Sequence, residues 1–386
     1  MSHPYDLRTR AQLDRPESRK WSLHPGSIGA WVAEMDFGTA PAVTAALQRA
    51  VAEETLGYLS PALADRLGRA TAGWMQRSYG WDVDPARVHP VADVIAALGV
   101  AVDHYAPEGS AVIVPTPAYM PFLTYLPAIG HPVIEVPGVI VEGRWQHDLE
   151  GIDRAFAAGA RTLVLCNPQN PTGAVLDRAE LEAIAAVVER HGGRVFADEI
   201  HAPVRFDGRA HIPYASISAA TAAHTITGTS ASKAWNIPGL KAAQLITSND
   251  ADEDLYRRFG FSVVHGASTL GVVASTAAYD DGAGWLDDTL DYIDGNRRLL
   301  AELLADRLPE AGYTPPEGTY LGWIDLTALD LDPSPAAFLR ERAGVVLTDG
   351  ALCGAGAAGH VRMVLALPRP LLVEAVDAIA RAVRGR

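Results

Sequence analysis

Three short segments set chemistry-bearing residues beside apolar, β-prone runs. Ser230-Ala-Ser232-Lys233 follows the apolar stretch near Ile226 and precedes Asn236-Ile-Pro-Gly-Leu240. An amine that is to attack a carbonyl carbon must be held at a fixed point with its charge suppressed, and small hydroxyl neighbours suit an anion beside it. Asn167-Pro-Gln-Asn170-Pro-Thr-Gly173 comes directly after the run ending at Cys166. Two prolines and a glycine make a rigid turn at the carboxyl end of a strand, where ligand sites gather in α/β folds, and Asn170 offers an amide donor there. Val195-Phe-Ala-Asp198-Glu199-Ile-His201 closes another apolar run with two carboxylates. Such a pair either keeps a basic ring nitrogen protonated or binds magnesium. A magnesium-phosphate role calls for a GxxxxGK[ST] loop, and the sequence contains none. Taken singly, each segment also fits a plain role: a loop lysine, a strand-to-helix turn, a solvated strand end.

The elements that must position these residues alternate. Strand candidates are Ala111 to Pro115, Pro132 to Val136, Thr162 to Cys166, Arg194 to Ala197, His224 to Gly228 and Ala243 to Thr247. Arg178 to His191 reads as an amphipathic helix with Leu181, Ile184, Ala185 and Val188 on one face and Gly192-Gly193 at its end. Helices alternating with short β runs predict an α/β fold with a largely parallel sheet. After about Gly282 the pattern changes to a long helix reaching Leu308, Pro-rich turns, a strand around Tyr320 to Leu326 and a closing helix from Arg369 to Val383. Ser2 to Phe37 lacks periodicity, but Trp21, Trp31 and Phe37 predict that it packs against the body.

In chain order, N-P-x-N-P-T-G, D-E-I-H and S-x-S-K together resemble the fold-type I pyridoxal-phosphate (PLP) enzymes of aminotransferase class I and II. Within them the chain looks most like the cystathionine β-lyase, or cysteine-S-conjugate β-lyase, branch. Trp31-Val-Ala-Glu-Met-Asp-Phe37, Gly57-Tyr58, Thr116-Pro-Ala-Tyr119, Asp198-Glu-Ile-His201, Ser232-Lys233-Ala-Trp-Asn-Ile-Pro-Gly-Leu240 and Val361-Arg362-Met363 carry that likeness across nearly the whole chain. The resemblance implies a PLP-dependent transferase-like fold, that of aspartate aminotransferase. It would comprise an N-terminal segment over 1–40, a large cofactor-binding domain over 41–282 with a mainly parallel seven-stranded sheet, and a smaller α+β C-terminal domain over 283–386. It implies Lys233 as the Schiff-base lysine, Asp198 as partner of the pyridine nitrogen, Asn170 as donor to the ring hydroxyl, His201 near that hydroxyl and Tyr119 on the ring face. Ser230, Ser232, N–H groups at the helix start near Asp93 and Tyr58 from a second subunit would hold the phosphate, which implies a homodimer. Arg362 would grip the substrate α-carboxylate with its planar fork of donors.

Several positions depart from the branch. Glu34 replaces an aspartate, Pro203 stands where an aspartate is common, and Met120 follows the tyrosine of the ring face. Asp93 replaces a glycine of the phosphate turn, where a carboxylate facing phosphate would repel it, so it is expected to point away. Lys241 stands where transaminases carry an arginine.

With 32 Lys and Arg against 46 Asp and Glu, the 386-residue chain has a net charge of -14, which argues against a nucleic-acid surface. Met1 to Arg10 lacks an apolar core, no apolar run reaches the roughly 18 residues of a membrane span, and two distant cysteines make no disulfide framework or zinc site. The expectation is a cytoplasmic enzyme that neither spans a membrane nor binds nucleic acid. The leading activity is β-elimination from cystathionine or another S-substituted cysteine, giving thiol, pyruvate and ammonia. Its alternatives are transamination, or a PLP-dependent decarboxylation or deamination of an S-cysteine conjugate. A metabolite-sensing regulator of the same fold would need a helix-turn-helix segment that the sequence lacks.

Overall fold

A computed structural model describes residues 3–385; Met1, Ser2 and Arg386 lie outside them. Seven strands form the larger sheet, in spatial order Val88–Val91, Ala243–Thr247, Thr225–Thr229, Arg194–Asp198, Thr162–Cys166, Val112–Thr116 and Val133–Pro137. Only Ala243–Thr247 runs against its neighbours; the other adjacent pairs are parallel. The fold is therefore the mainly parallel α/β arrangement expected. The strands at Val112, Thr162, Thr225 and Ala243 are buried along their whole length, because helices cover both faces of the sheet. On one face Val94–Tyr105 sets Val94, Leu98 and Val102 against Val164, Phe196 and Ile226. On the other, Leu149–Ala157 and Arg178–Arg190 set Ile152, Phe156, Leu181 and Val188 against Leu163, Leu165 and Val195.

Register fixes the site. Cys166 pairs with Asp198, and Asp198 with Gly228, so three parallel strands end at one level. The turns that follow them bring the Asn167–Gly173 loop, the Asp198–His201 corner and the Ser230–Lys233 turn to one edge. Gly173 lies at φ +75°, and a Cβ there would come within 2.2 Å of Pro316, so this turn admits no other residue without rearrangement.

The C-terminal part contains a four-stranded antiparallel sheet in the order Gly312–Tyr313, Leu321–Asp325, His360–Val364, Thr348–Asp349. Helices Ala283–Arg307, Pro335–Ala343 and Arg369–Arg384 flank it. The first described residues are stitched to this part. Ile28–Gly29 pairs in parallel with Val345–Val346, and Asp36 N donates to Ala366 O at 3.0 Å. Lys20 Nζ lies 2.9 Å from Asp36 Oδ2 and Trp21 Nε1 lies 3.0 Å from Asp36 Oδ1, all three residues being buried.

The helix expected at Arg178 ends one residue earlier, at Arg190, and the closing helix runs one further, to Arg384. Val88–Val91, interrupted by Pro90, and the two-residue Ile28–Gly29 are strands that the sequence pattern does not reveal. Among the described residues no single helix is long and apolar enough to cross a membrane.

Candidate functional site

Lys233 sits in the turn after Thr225–Thr229, held from below by Ser230. The Ser230 hydroxyl donates to Ala242 O at 2.8 Å and accepts from Ser232 N at 3.0 Å, so it braces the turn. Lys233 Nζ donates to Ala33 O at 3.1 Å, and the Tyr320 hydroxyl donates to the same carbonyl at 2.9 Å. Burial, with help from the nearby Arg362 charge, pulls the Lys233 amine down to about 8, against smaller opposing effects of Glu34 and Asp198. A lysine so tuned has a substantial neutral, nucleophilic fraction near neutral pH.

Asp198, at the end of its strand, is buried and accepts a hydrogen bond from Ile200 N at 3.1 Å. Burial pushes its carboxyl up to about 7; the Ile200 N–H opposes this and the neighbouring Glu199 charge adds to it. His201, also buried, is held down to about 3, first by desolvation and then by the Lys233 and Arg362 charges, so its imidazole is neutral. Its Nδ1 is buried without a hydrogen-bond partner among the described residues.

Arg362 reaches this edge from the strand His360–Val364, and the smaller sheet thereby contributes a cation. Its NH1 donates to Asn170 Oδ1 at 3.0 Å, and its NH2 to Trp31 O at 3.1 Å and Thr348 Oγ1 at 3.2 Å. Arg362 is 3 % exposed, and its Nε is buried with no partner among the described residues. Tyr119 opens the helix Met120–Ala128; burial raises its phenol, and the Arg362, Asp198 and Asp93 charges all reach it.

Lys233, Asp198, His201, Asn170, Arg362, Tyr119, Ser230 and Ser232 thus form one neighbourhood. Tyr58 does not join it within one chain. It is 96 % exposed and faces His265, 6.1 Å between ring centroids, in a groove with Leu56 and Phe261. Sequence reasoning missed the carbonyls of Trp31 and Ala33 together with Thr348 and Tyr320. Backbone acceptors leave no signal in residue types, and Thr348 and Tyr320 stand in no motif.

Residues 32–379 match the family described as aminotransferase class I and II. The chain belongs to that family. The cystathionine β-lyase of Corynebacterium glutamicum is 35% identical to it over 370 residues, 96% of this chain and 97% of that protein. A crystal structure of a putative PLP-dependent β-cystathionase from Corynebacterium diphtheriae superposes with a TM-score of 0.92 at 38% identity, covering 98% of each chain. The PLP-bound C-S lyase of Staphylococcus hominis gives 0.88 at 28% identity, covering 96% of this chain and 98% of that one.

Proposed function

We propose that the protein is a PLP-dependent carbon–sulfur β-lyase, converting cystathionine or another S-substituted cysteine, with water, to a thiol, pyruvate and ammonia. The observation that carries the cofactor is the meeting of a depressed amine, a raised carboxyl and a buried guanidinium at one strand edge. The choice of elimination over transamination follows the near full-length likeness to proteins named as lyases.

The residues fit the group on physical grounds. The buried Asp198 carboxyl, which accepts from Ile200 N, and the nitrogens His201 Nδ1 and Arg362 Nε, which have no partner among the described residues, are costly unless a polar ligand meets them. Lys233 Nζ would hold the cofactor's aldehyde carbon, and Asp198 would keep the ring nitrogen protonated. Asn170, whose carbonyl oxygen is taken by Arg362, would turn its amide N–H to the ring hydroxyl, with neutral His201 beside it. Tyr119 would cover the ring face. Ser232, next to the braced Ser230, and the helix start near Asp93 would take the phosphate.

When bound, the protonated ring supplies a sink for the electrons of a carbanion. Arg362 would orient the substrate by its α-carboxylate. Lys233 Nζ, displaced by the substrate amine, would remove the α-proton, and departure of the β-thiolate would follow.

The exposed groove of Leu56, Tyr58 and Phe261 supports a homodimer in which Tyr58 of each chain serves the phosphate of the other. Division at 40/41 and 282/283 is part of the same reading, the described residues of 1–40 strapping the C-terminal part to the larger one. The two cysteines are free and buried, which suits a reducing compartment, and we place the protein in the cytoplasm.

The test is to mix PLP-loaded protein with cystathionine and S-alkyl cysteines without keto acid, following pyruvate, thiol and cofactor absorbance. Equal release of pyruvate and thiol is expected. Conversion to the pyridoxamine form without pyruvate would make the protein a transaminase.

A further inference from the structure

Two of the departures noted in the sequence meet in space. Asp93 is the N-cap of the helix Val94–Tyr105, where its Oδ1 accepts from Ala96 N at 2.8 Å. Its Oδ2 lies 2.8 Å from Lys241 Nζ. The Lys241 side chain is 59 % exposed, but its backbone is fixed: it is left-handed at φ +50°, and its carbonyl accepts from Ser268 N at 2.9 Å. The next residue, Ala242, receives the Ser230 hydroxyl. The pair therefore ties the helix start to the serine turn, the two elements assigned above to the cofactor phosphate. Burial alone would push the Asp93 carboxyl up, but Lys241 and the helix N–H groups outweigh it and hold the group below its ordinary range. The carboxylate is thus ionised beside the site, and its charge reaches as far as Tyr119.

A carboxylate at this place repels a phosphate dianion, and an ammonium attracts it; at 2.8 Å from one another they present almost no net charge to a third group. We propose that Asp93 and Lys241 act as a charge-cancelling pair at the rim of the cofactor phosphate site. The phosphate is then held by neutral donors, and retention of the cofactor is set by the balance of the two residues. The proposal rests on the PLP reading and goes beyond it, because it assigns Lys241 to Asp93 and makes Asp93 a brake on cofactor affinity.

The experiment titrates the apoprotein with PLP, following absorbance and protein fluorescence, for the wild type, Asp93→Asn, Lys241→Met and the double variant, at low and high salt. Asparagine caps a helix as well as aspartate, so the first variant removes charge and keeps the cap. Asp93→Asn is expected to lower the Kd roughly tenfold and Lys241→Met to raise it roughly tenfold at low salt. The double variant should return to within about threefold of wild type, and the differences should shrink at 1 M salt, where the screening length is about 3 Å. Inorganic phosphate as competitor should follow the same order. Equal Kd values in all four proteins, or weaker binding by Asp93→Asn, would overturn the proposal. A wild type that takes up no more PLP than Lys233→Ala would instead overturn the cofactor reading itself, so the two failures are distinguishable.

Discussion

Replacing Arg362 by lysine separates charge from geometry. Arg362 is 3 % exposed, and its guanidinium is fixed by Asn170, Trp31 and Thr348 at 3.0 to 3.2 Å. A fork so anchored can keep those bonds and still present N–H groups to a carboxylate, whereas a lysine ammonium supplies one point charge and cannot reproduce both sets. Losing one of two charge-assisted hydrogen bonds costs about 1.5–3 kcal/mol, so kcat/KM for an S-substituted cysteine should fall about 10- to 150-fold. The assay is steady-state pyruvate release, set beside the decarboxylated analogue, an S-substituted cysteamine, whose cofactor absorbance change reports amine capture. On that analogue Arg362→Lys and wild type should react alike, because the partner carboxylate is missing from the ligand itself. If the variant lost as much with the analogue as with the amino acid, or lost nothing with the amino acid, Arg362 would not be the carboxylate anchor.

The Lys233 amine, held near 8, is protonated below that pH and nucleophilic above it. The rate of covalent PLP capture by apoprotein, measured by stopped-flow absorbance, should therefore rise through pH 8 and level off by about pH 9; a rise continuing beyond pH 10 would mark an ordinary lysine. Lys20→Met removes one partner of a buried ion pair and leaves Asp36 uncompensated, so chemical denaturation should show a loss of about 3–5 kcal/mol, while no measurable loss would mean that Asp36 is relieved in another way. Phe261→Glu puts charge into the groove that holds Tyr58, and sedimentation velocity should show monomers with weakened PLP binding; an unchanged species would place the dimer contact elsewhere.

The residues proposed to hold the cofactor are legible in the sequence because they follow apolar strands directly. The run Thr162 to Cys166 announces Asn170, Val195 to Ala197 announces Asp198, and the stretch near Ile226 announces Lys233. Helix ends followed from the same local patterning, to within a residue at Arg190 and Arg384. What stayed hidden depends on partners far apart in the chain. Nothing near Trp31 or Ala33 indicates that their carbonyls receive Arg362 and Lys233, and Ile28–Gly29 becomes a strand only because Val345–Val346 lies beside it. The expectation that Asp93 points away was half of the matter: it turns into its own helix and toward Lys241, a contact that residue types on distant segments do not reveal.

The stitching of the first described residues to the C-terminal part sets an order on biosynthesis. Ile28, Trp31 and Asp36 leave the ribosome early, but their seats are made by Val345, Thr348, Arg362 and Ala366, which leave it late. The leading segment must wait, undocked, until almost the whole chain has been made. A chain that stops short of Arg362 therefore lacks the proposed carboxylate anchor, and its Trp31 carbonyl is left without the donor that Arg362 supplies.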